Sequence, residues 1–400
     1  MNTGGFLYPA QEEAVEKMKN GCILNGGVGS GKSRTSLYYY LKITGGYVDS
    51  ERTLHSSKNP LGLYIITTAQ KRNKKEWEME CLPYRFTPVA IDSWNNIGKY
   101  ADVKNAFFIF DEDRICGKGA WAKSFLKIAR NNQWIVLSAT PGDDWEQYVT
   151  IFLANKFFKN RTDFYNHHVI WNPHTPYPSV LRFYDEDVLY KMRKSLLIDM
   201  DVPRHTKRIF EDIMCEYDYD LYKQTQEEHW NPYDQCPIET PSQMCYLLRR
   251  ICNEDRSRIS LLNKLLEKHP KSIIFYSYDY ELDVLRNGVS KKFKIAEYNG
   301  HRHDPLPDGD NWVYLVNYGA GAEGWNCITT DTIIFFSQTY SWKTYEQACG
   351  RIDRVNTKFT DLHYYNLISK SPIDGVIKRA LKQKKIFNLF KYGEKILERK

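Results

Sequence analysis

The stretch Gly26-Gly27-Val28-Gly29-Ser30-Gly31-Lys32-Ser33 sets a glycine-rich turn, a lysine and a hydroxyl between an apolar run, Cys22-Ile23-Leu24, and a segment that can continue as a helix, Arg34-Thr35-Ser36-Leu37-Tyr38. A turn of this kind between strand and helix presents backbone N–H groups and the positive end of the helix dipole to an anion. Gly26, four residues, then Gly31-Lys32-Ser33 match the phosphate-binding loop pattern. Lys32 would reach the β- and γ-phosphates, and the Ser33 hydroxyl would ligate Mg²⁺. The loop points to a nucleotide without saying what the nucleotide is spent on.

Such a loop needs a second, acidic element to hold a hydrated Mg²⁺ and orient a water. Asp111-Glu112, directly after the apolar run Phe107–Phe110, supplies it, with Asp111 in the metal shell and Glu112 as the base. Ser138-Ala139-Thr140 follow the run Trp134–Leu137 and could couple phosphate state to movement. Ahead of the loop, Tyr8-Pro9-Ala10-Gln11 offers a ring for stacking on adenine and an amide for its edge. Near the other end, Gln347-Ala348-Cys349-Gly350-Arg351-Ile352-Asp353-Arg354 sets two arginines three apart. That spacing predicts one helix face, from which Arg351 and Arg354 could act as arginine fingers on the γ-phosphate. A salt-bridged surface helix is the other reading of the same spacing.

These residues must be carried by a scaffold. Leu61–Thr68, Phe86–Ile91, Phe107–Phe110 and Trp134–Leu137 read as continuous apolar strands separated by helices, which implies a parallel sheet covered on both faces. In such sheets the ligand lies beyond the carboxyl ends of the strands, where the polar clusters fall. A second alternating region starts near Gln243, with strands at Ser272–Tyr276, Trp312–Val316, Thr332–Phe336 and His363–Ile368 but no phosphate loop. Residues 151–235 between them read as a helical connector followed by a linker.

Hydrophobic residues at 42% and charged residues at 26% suit a soluble globular protein, and 400 residues suggest two or three domains. No apolar run approaches the length of a membrane span, and the start, Met1-Asn2-Thr3-Gly4-Gly5, is not a signal peptide. Nine scattered cysteines without a C-x-x-C pair read as free thiols of a reducing cytosol. The net charge of +7 equals that of residues 376–400 alone, nine Lys/Arg against Glu394 and Glu398. That tail is either a solvated helix face or a phosphate-contacting one.

Taken in order, the motifs resemble those of superfamily 2 helicases and translocases, within them the Swi/Snf-like branch. Tyr8–Gln11 resembles the Q motif and Gly26–Ser33 motif I, while Ile66–Trp77 and Ile91–Trp94 look like motifs Ia and Ib. Asp111–Arg114 and Ser138–Thr140 are similar to motifs II and III, and Ser272–Tyr278, Tyr318–Asn326 and Gln347–Arg354 to motifs IV, V and VI. Trp145 to Trp171, Asp201-Val202-Pro203 and Tyr246–Cys252 resemble the branch's linking segments. Motif II departs from the pattern by carrying Arg114 where histidine is usual, which bears on coupling between motifs II and III.

The resemblance implies an α/β fold of two RecA-like parallel-sheet domains in tandem with an ATP cleft between them, a helical connector and a C-terminal basic helix. The expected divisions are 1–150, 151–240, 241–370 and 371–400. It implies ATP and Mg²⁺ as ligands, held by Gly26, Gly27, Val28, Gly29, Ser30, Gly31, Lys32, Ser33, Asp111 and Glu112, with Gln11 on adenine. Arg351 and Arg354 would act from the second domain, helped by Gln347 and Gly324. Thr68, Ser93, Ser277 and Asn317 would contact the nucleic-acid backbone. The expected activity is a DNA-dependent ATPase that tracks along duplex DNA. A strand-separating or branch-migration helicase on forked DNA and an ATP-gated clamp that does not travel are the alternatives. Replication or recombination proteins are conceivable partners. A monomeric, cytoplasmic protein without membrane contact is expected, of a minimal form resembling those of bacteriophages and mobile elements.

Overall fold

The computed structural model describes residues 6–27, 29–112, 119–139, 142, 144–172, 178–200, 203–321, 325, 327–354, 356–384 and 386–398. The chain divides into two compact units, Met1–Pro203 and Arg204–Lys400. In the first, β1 (Ile23–Asn25), β2 (Gly62–Thr67), β3 (Ala90–Ser93), β4 (Ala106–Asp111), β5 (Gln133–Ser138) and β6 (Leu197–Asp199) form one sheet in the order β6-β1-β5-β4-β2-β3. Every neighbouring pair is parallel. Alternate residues of each strand enter opposite cores: Leu63, Phe107, Ile109, Ile135 and Leu137 on one face, Ile66, Phe108, Phe110, Trp134 and Val136 on the other. The first face is covered by α1 (Pro9–Lys17) and α2 (Lys32–Ile43), which supply Ala14, Val15, Leu37 and Leu41. The second is covered from Phe125 and Ile128 and from Val149 and Phe152.

The second unit repeats the plan. Its strands β7 (Lys207–Cys215), β8 (Lys271–Tyr276), β9 (Lys294–Tyr298), β10 (Trp312–Asn317), β11 (Thr332–Phe335) and β12 (Asp361–Ser369) pair in parallel in the order β7-β12-β11-β8-β10-β9. The two tandem RecA-like parallel-sheet domains are therefore present. All the strands read from sequence appear, the one sought at Phe86–Ile91 being displaced to Ala90–Ser93.

The segment expected as connector and linker is shared between the units. The end of α3 (Trp145–Ala154), which runs across the segment's start, and β6 complete the first unit, while β7 is an edge strand of the second. The basic C-terminal segment, expected as one helix, forms two: α5 (Pro372–Lys382) and α6 (Leu389–Leu397). With α4 (Pro241–Asn253) they build a third core, in which Met244, Leu248 and Ile251 meet Ile373, Ile377, Leu381, Phe387 and Ile396. The helices break between Lys382 and Leu389, where the Phe387 amide donates to the Tyr340 carbonyl (2.8 Å). Among the described residues no helix is long and apolar enough to cross a membrane.

Candidate functional site

Parallel strands put all their carboxyl ends on one edge, and in the first unit that edge collects the expected residues. The loop after β1 is fixed from both sides: the Gly26 amide donates to the Ser138 carbonyl (3.1 Å), and the Met200 amide after β6 donates to the Asn25 carbonyl (2.7 Å). Gly31 has φ +80°, and a Cβ there would lie 2.3 Å from Gln11 Nε2, so only glycine suits the position. At Gly26 a Cβ would lie 2.6 Å from the Ser30 hydroxyl. Gln11 is buried and works as a brace for this loop: its amide N–H donates to the Ser30 carbonyl (2.9 Å), and its amide oxygen accepts from the Tyr8 N–H (2.9 Å).

Lys32 Nζ donates to the carbonyls of Gly26 (2.6 Å) and Gly27 (3.0 Å), which sets its charge inside the loop. The Ser30 hydroxyl is buried with no hydrogen-bond partner among the described residues. A cradle closed to any Cβ, a lysine within it and an unsatisfied hydroxyl together fit a bound phosphate group. Ser33 is the second residue of α2, next to Lys32. Val28 lies outside the described residues, as do Asp113, Arg114, Thr140, Gly324 and Asn326.

Asp111 ends β4 with its side chain buried. Three donors converge on its Oδ2: Thr67 Oγ1 (2.8 Å), Lys71 Nζ (2.9 Å) and Trp77 Nε1 (3.0 Å). Its backbone carbonyl accepts from Trp94 Nε1 (3.0 Å). Burial works to raise the pKa of this carboxyl, but Lys71, Thr67 and Trp77 outweigh it and hold it below the usual carboxylate range. The group is thus ionised, with Oδ1 left as the oxygen for a metal shell. Glu112 follows in the left-handed region (φ 65°), a strained conformation for glutamate that turns the chain out of the sheet at this point. Lys71 also pairs with Glu112 Oε1 at 3.2 Å.

The expected nucleic-acid contacts of this unit stand on the same edge. Thr68 precedes the short helix Ala69–Asn73, and its hydroxyl caps it by accepting from the Lys71 amide (3.3 Å). Ser93 is buried, and Arg72 Nη1 lies 3.4 Å from its hydroxyl and 2.9 Å from Asp92 Oδ1. The group presented at this position is therefore Arg72. Burial would raise the Asp92 carboxyl, but donors from Asn96, the Ser93 amide, Arg72 and Tyr100 outweigh it and set its pKa at about 2.

In the second unit Ser277 directly follows β8 and Asn317 ends its neighbour β10, and the two meet, Asn317 Nδ2 donating to the Ser277 carbonyl (3.1 Å). The buried Glu281 accepts from the Ser277 amide (2.7 Å) and the Ser337 hydroxyl (2.7 Å), tying the ends of the central strands together. The expectation of one helix face for the two arginines is corrected here. The helix Trp342–Cys349 is capped by Gly350, and both Arg351 and Arg354 lie beyond it. The chain turns because Asp353 is drawn inward by Arg204, Arg208 (2.7 Å) and Thr206 (2.7 Å). Arg351 is buried, donating to the carbonyls of Gln347 (3.0 Å) and Trp325 (2.6 Å). Arg354 and Gln347 are half-buried.

Lys71, Arg72, Asp92, Glu281 and Arg208 were not singled out from sequence. Lys71 and Arg72 fall within the stretch resembling motif Ia, so a cation count there could have raised them; Asp92 precedes Ser93 in the same way.

No protein-family model matches the chain. A curated relative, the ISWI chromatin-remodeling complex ATPase ISW2 of Saccharomyces cerevisiae, is 28% identical over 141 residues, which is 32% of this chain and 12% of the relative. The match thus spans well under two thirds of that protein. Among solved structures, the Sulfolobus solfataricus SWI2/SNF2 ATPase core in complex with dsDNA is similar with a TM-score of 0.42 at 14% identity, covering 96% of this chain and 92% of that one.

Proposed function

We propose that the protein is a DNA-dependent ATPase that spends ATP on moving along duplex DNA. The observation that carries this reading is the shared edge of the first sheet. The phosphate loop, Asp111 and Glu112 stand there beside Thr68, Arg72 and Ser93, so the residues read for nucleotide chemistry and those read for a nucleic-acid backbone share the same strand ends. The 141-residue likeness to a chromatin-remodelling ATPase supports the same reading.

Lys32, Ser33 and Asp111 would hold Mg-ATP, the metal supplying neutralisation of the β- and γ-phosphate charge. Backbone N–H groups of the loop not already bonded within the protein would donate to the phosphates, and Gln11 braces the loop through the Ser30 carbonyl. Glu112 orients the attacking water and takes its proton. Arg351 and Arg354, with Gln347 and Gly324, belong in this reading to the second domain's share of phosphate stabilisation. Thr68, Ser277 and Asn317 would contact the strand backbone, with Arg72 doing so at the position of the buried Ser93. Such contacts carry little sequence information and weaken steeply with salt.

Movement is tested by release of the third strand from a DNA triplex. ATP-dependent release, absent in Lys32→Ala, is expected on a blunt duplex. Separation of forked strands with the triplex left intact would replace tracking by unwinding. ATP hydrolysis with neither product would favour a clamp.

A further inference from the structure

One short helix touches both halves of the proposed site. Ala69–Asn73 leaves the end of β2, and consecutive residues on it point about 100° apart. Lys71 accordingly reaches back to Asp111 (2.9 Å) and Glu112 (3.2 Å), while Arg72 reaches sideways to Asp92 (2.9 Å) and Ser93 (3.4 Å). The two residues are anchored at one point, because the Thr68 hydroxyl and carbonyl accept from the Lys71 amide (3.3 Å) and the Arg72 amide (3.1 Å). Lys71 lies within ion-pair distance of both Asp111 and Glu112.

We infer that Lys71 is the residue through which the nucleotide site and the nucleic-acid surface of this domain sense one another. This rests on the ATPase reading above. A divalent cation held by Asp111 would draw on a carboxylate that Lys71 also bonds, so loading the site would change the hold on Lys71. The change passes through a turn of helix to Arg72, whose guanidinium covers Asp92 and Ser93. Lys71 is a positioning residue in this scheme: its ammonium bonds the acid pair and acts on DNA through Arg72.

Coupling of this kind is reciprocal, and both directions can be measured. Fluorescence anisotropy gives the affinity for a labelled duplex with and without Mg-ADP, and the affinity for a fluorescent ADP with Mg²⁺, with and without duplex. The wild-type protein should show equal factors in the two directions, about 5-fold or more. Lys71→Met should reduce both to less than about 2-fold, and Lys71→Arg, which keeps the charge, should restore most of the coupling. A Lys71→Met protein that keeps the wild-type factors overturns the inference, including when both absolute affinities have dropped alike through structural damage. A Lys71→Arg protein as uncoupled as Lys71→Met also overturns it. A wild-type protein that binds no duplex overturns the functional reading and the inference with it, a different result from the other two.

Discussion

At the scale of single residues, the phosphate loop is held by fit more than by strength. Gly31 combines a positive φ with a Cβ direction blocked by Gln11, so Gly31→Ala must strain the backbone and dislodge the brace. Such a change costs about 1–3 kcal/mol. Nucleotide affinity should fall about 5- to 150-fold, which a cost of that size implies, and titration with a fluorescent nucleotide checks it. The loop was legible in the sequence because its parts are contiguous and each residue type has its own reason to be there. Asp111-Glu112 was legible for the same reason. Lys71 was not, since its partners stand 40 positions away and become neighbours only when β2 and β4 pair. Gln11 was read as a group for adenine, but both ends of its amide bond to the protein. Its distance to the loop, 19 positions, is likewise set by folding.

At the scale of elements, apolar continuity decided what could be read. The central strands β4, β5, β8 and β10 are buried along nearly their whole length and appear as unbroken hydrophobic runs. The edge strand β7 mixes Lys207, Arg208, Glu211 and Asp212 with Phe210 and Met214, as expected of a strand open to water on one side, and so looks like linker. The short β6 is too brief for any periodicity to show. Two predictions belong here. In α6, a Cβ at Gly393 would lie 2.3 Å from the Pro241 carbonyl oxygen, so Gly393→Ala should push α6 off α4 and cost about 1–3 kcal/mol in a denaturant melt. At the opposite end of the second sheet, His269 shares hydrogen bonds with Thr332 (3.1 Å) and Tyr365 (2.8 Å), and burial is the first cause that lowers its pKa. The unfolded chain therefore takes up the proton first. The contribution of this histidine to stability is complete above about pH 6.5 and is lost as pH falls below it. Urea midpoints at pH 7.5 and 5.5 should differ by more in the wild type than in His269→Gln.

At the scale of the whole molecule, the two units share one plan, but the sequence placed their boundary too broadly. The stretch 151–240 contributes an edge strand to each sheet, so neither sheet is complete without it. The C-terminal segment also changes meaning. From its charge, removal of the residues after Asp374 would be expected to weaken DNA binding more than basal ATPase. Its apolar face instead closes the core on α4, and Asp374 is fixed by Arg258 (3.4 Å) and the Ser369 amide (2.8 Å). Truncation should therefore remove cooperative unfolding of the second unit and lower both activities together, read by calorimetry beside the two assays. The basic side chains can still add phosphate contacts: raising salt from 50 to 200 mM should cut duplex affinity by about 10³-fold or more if six or more phosphates are engaged.

The central claim, a nucleotide site whose turnover is governed by DNA, is met most directly by steady-state ATP hydrolysis. The assay compares no nucleic acid, single strands, plain duplex and forked DNA, with Lys32→Ala beside the wild type. The account predicts strong stimulation by plain duplex and loss of hydrolysis in the variant under every condition. Hydrolysis indifferent to all four, or surviving in Lys32→Ala, would contradict it.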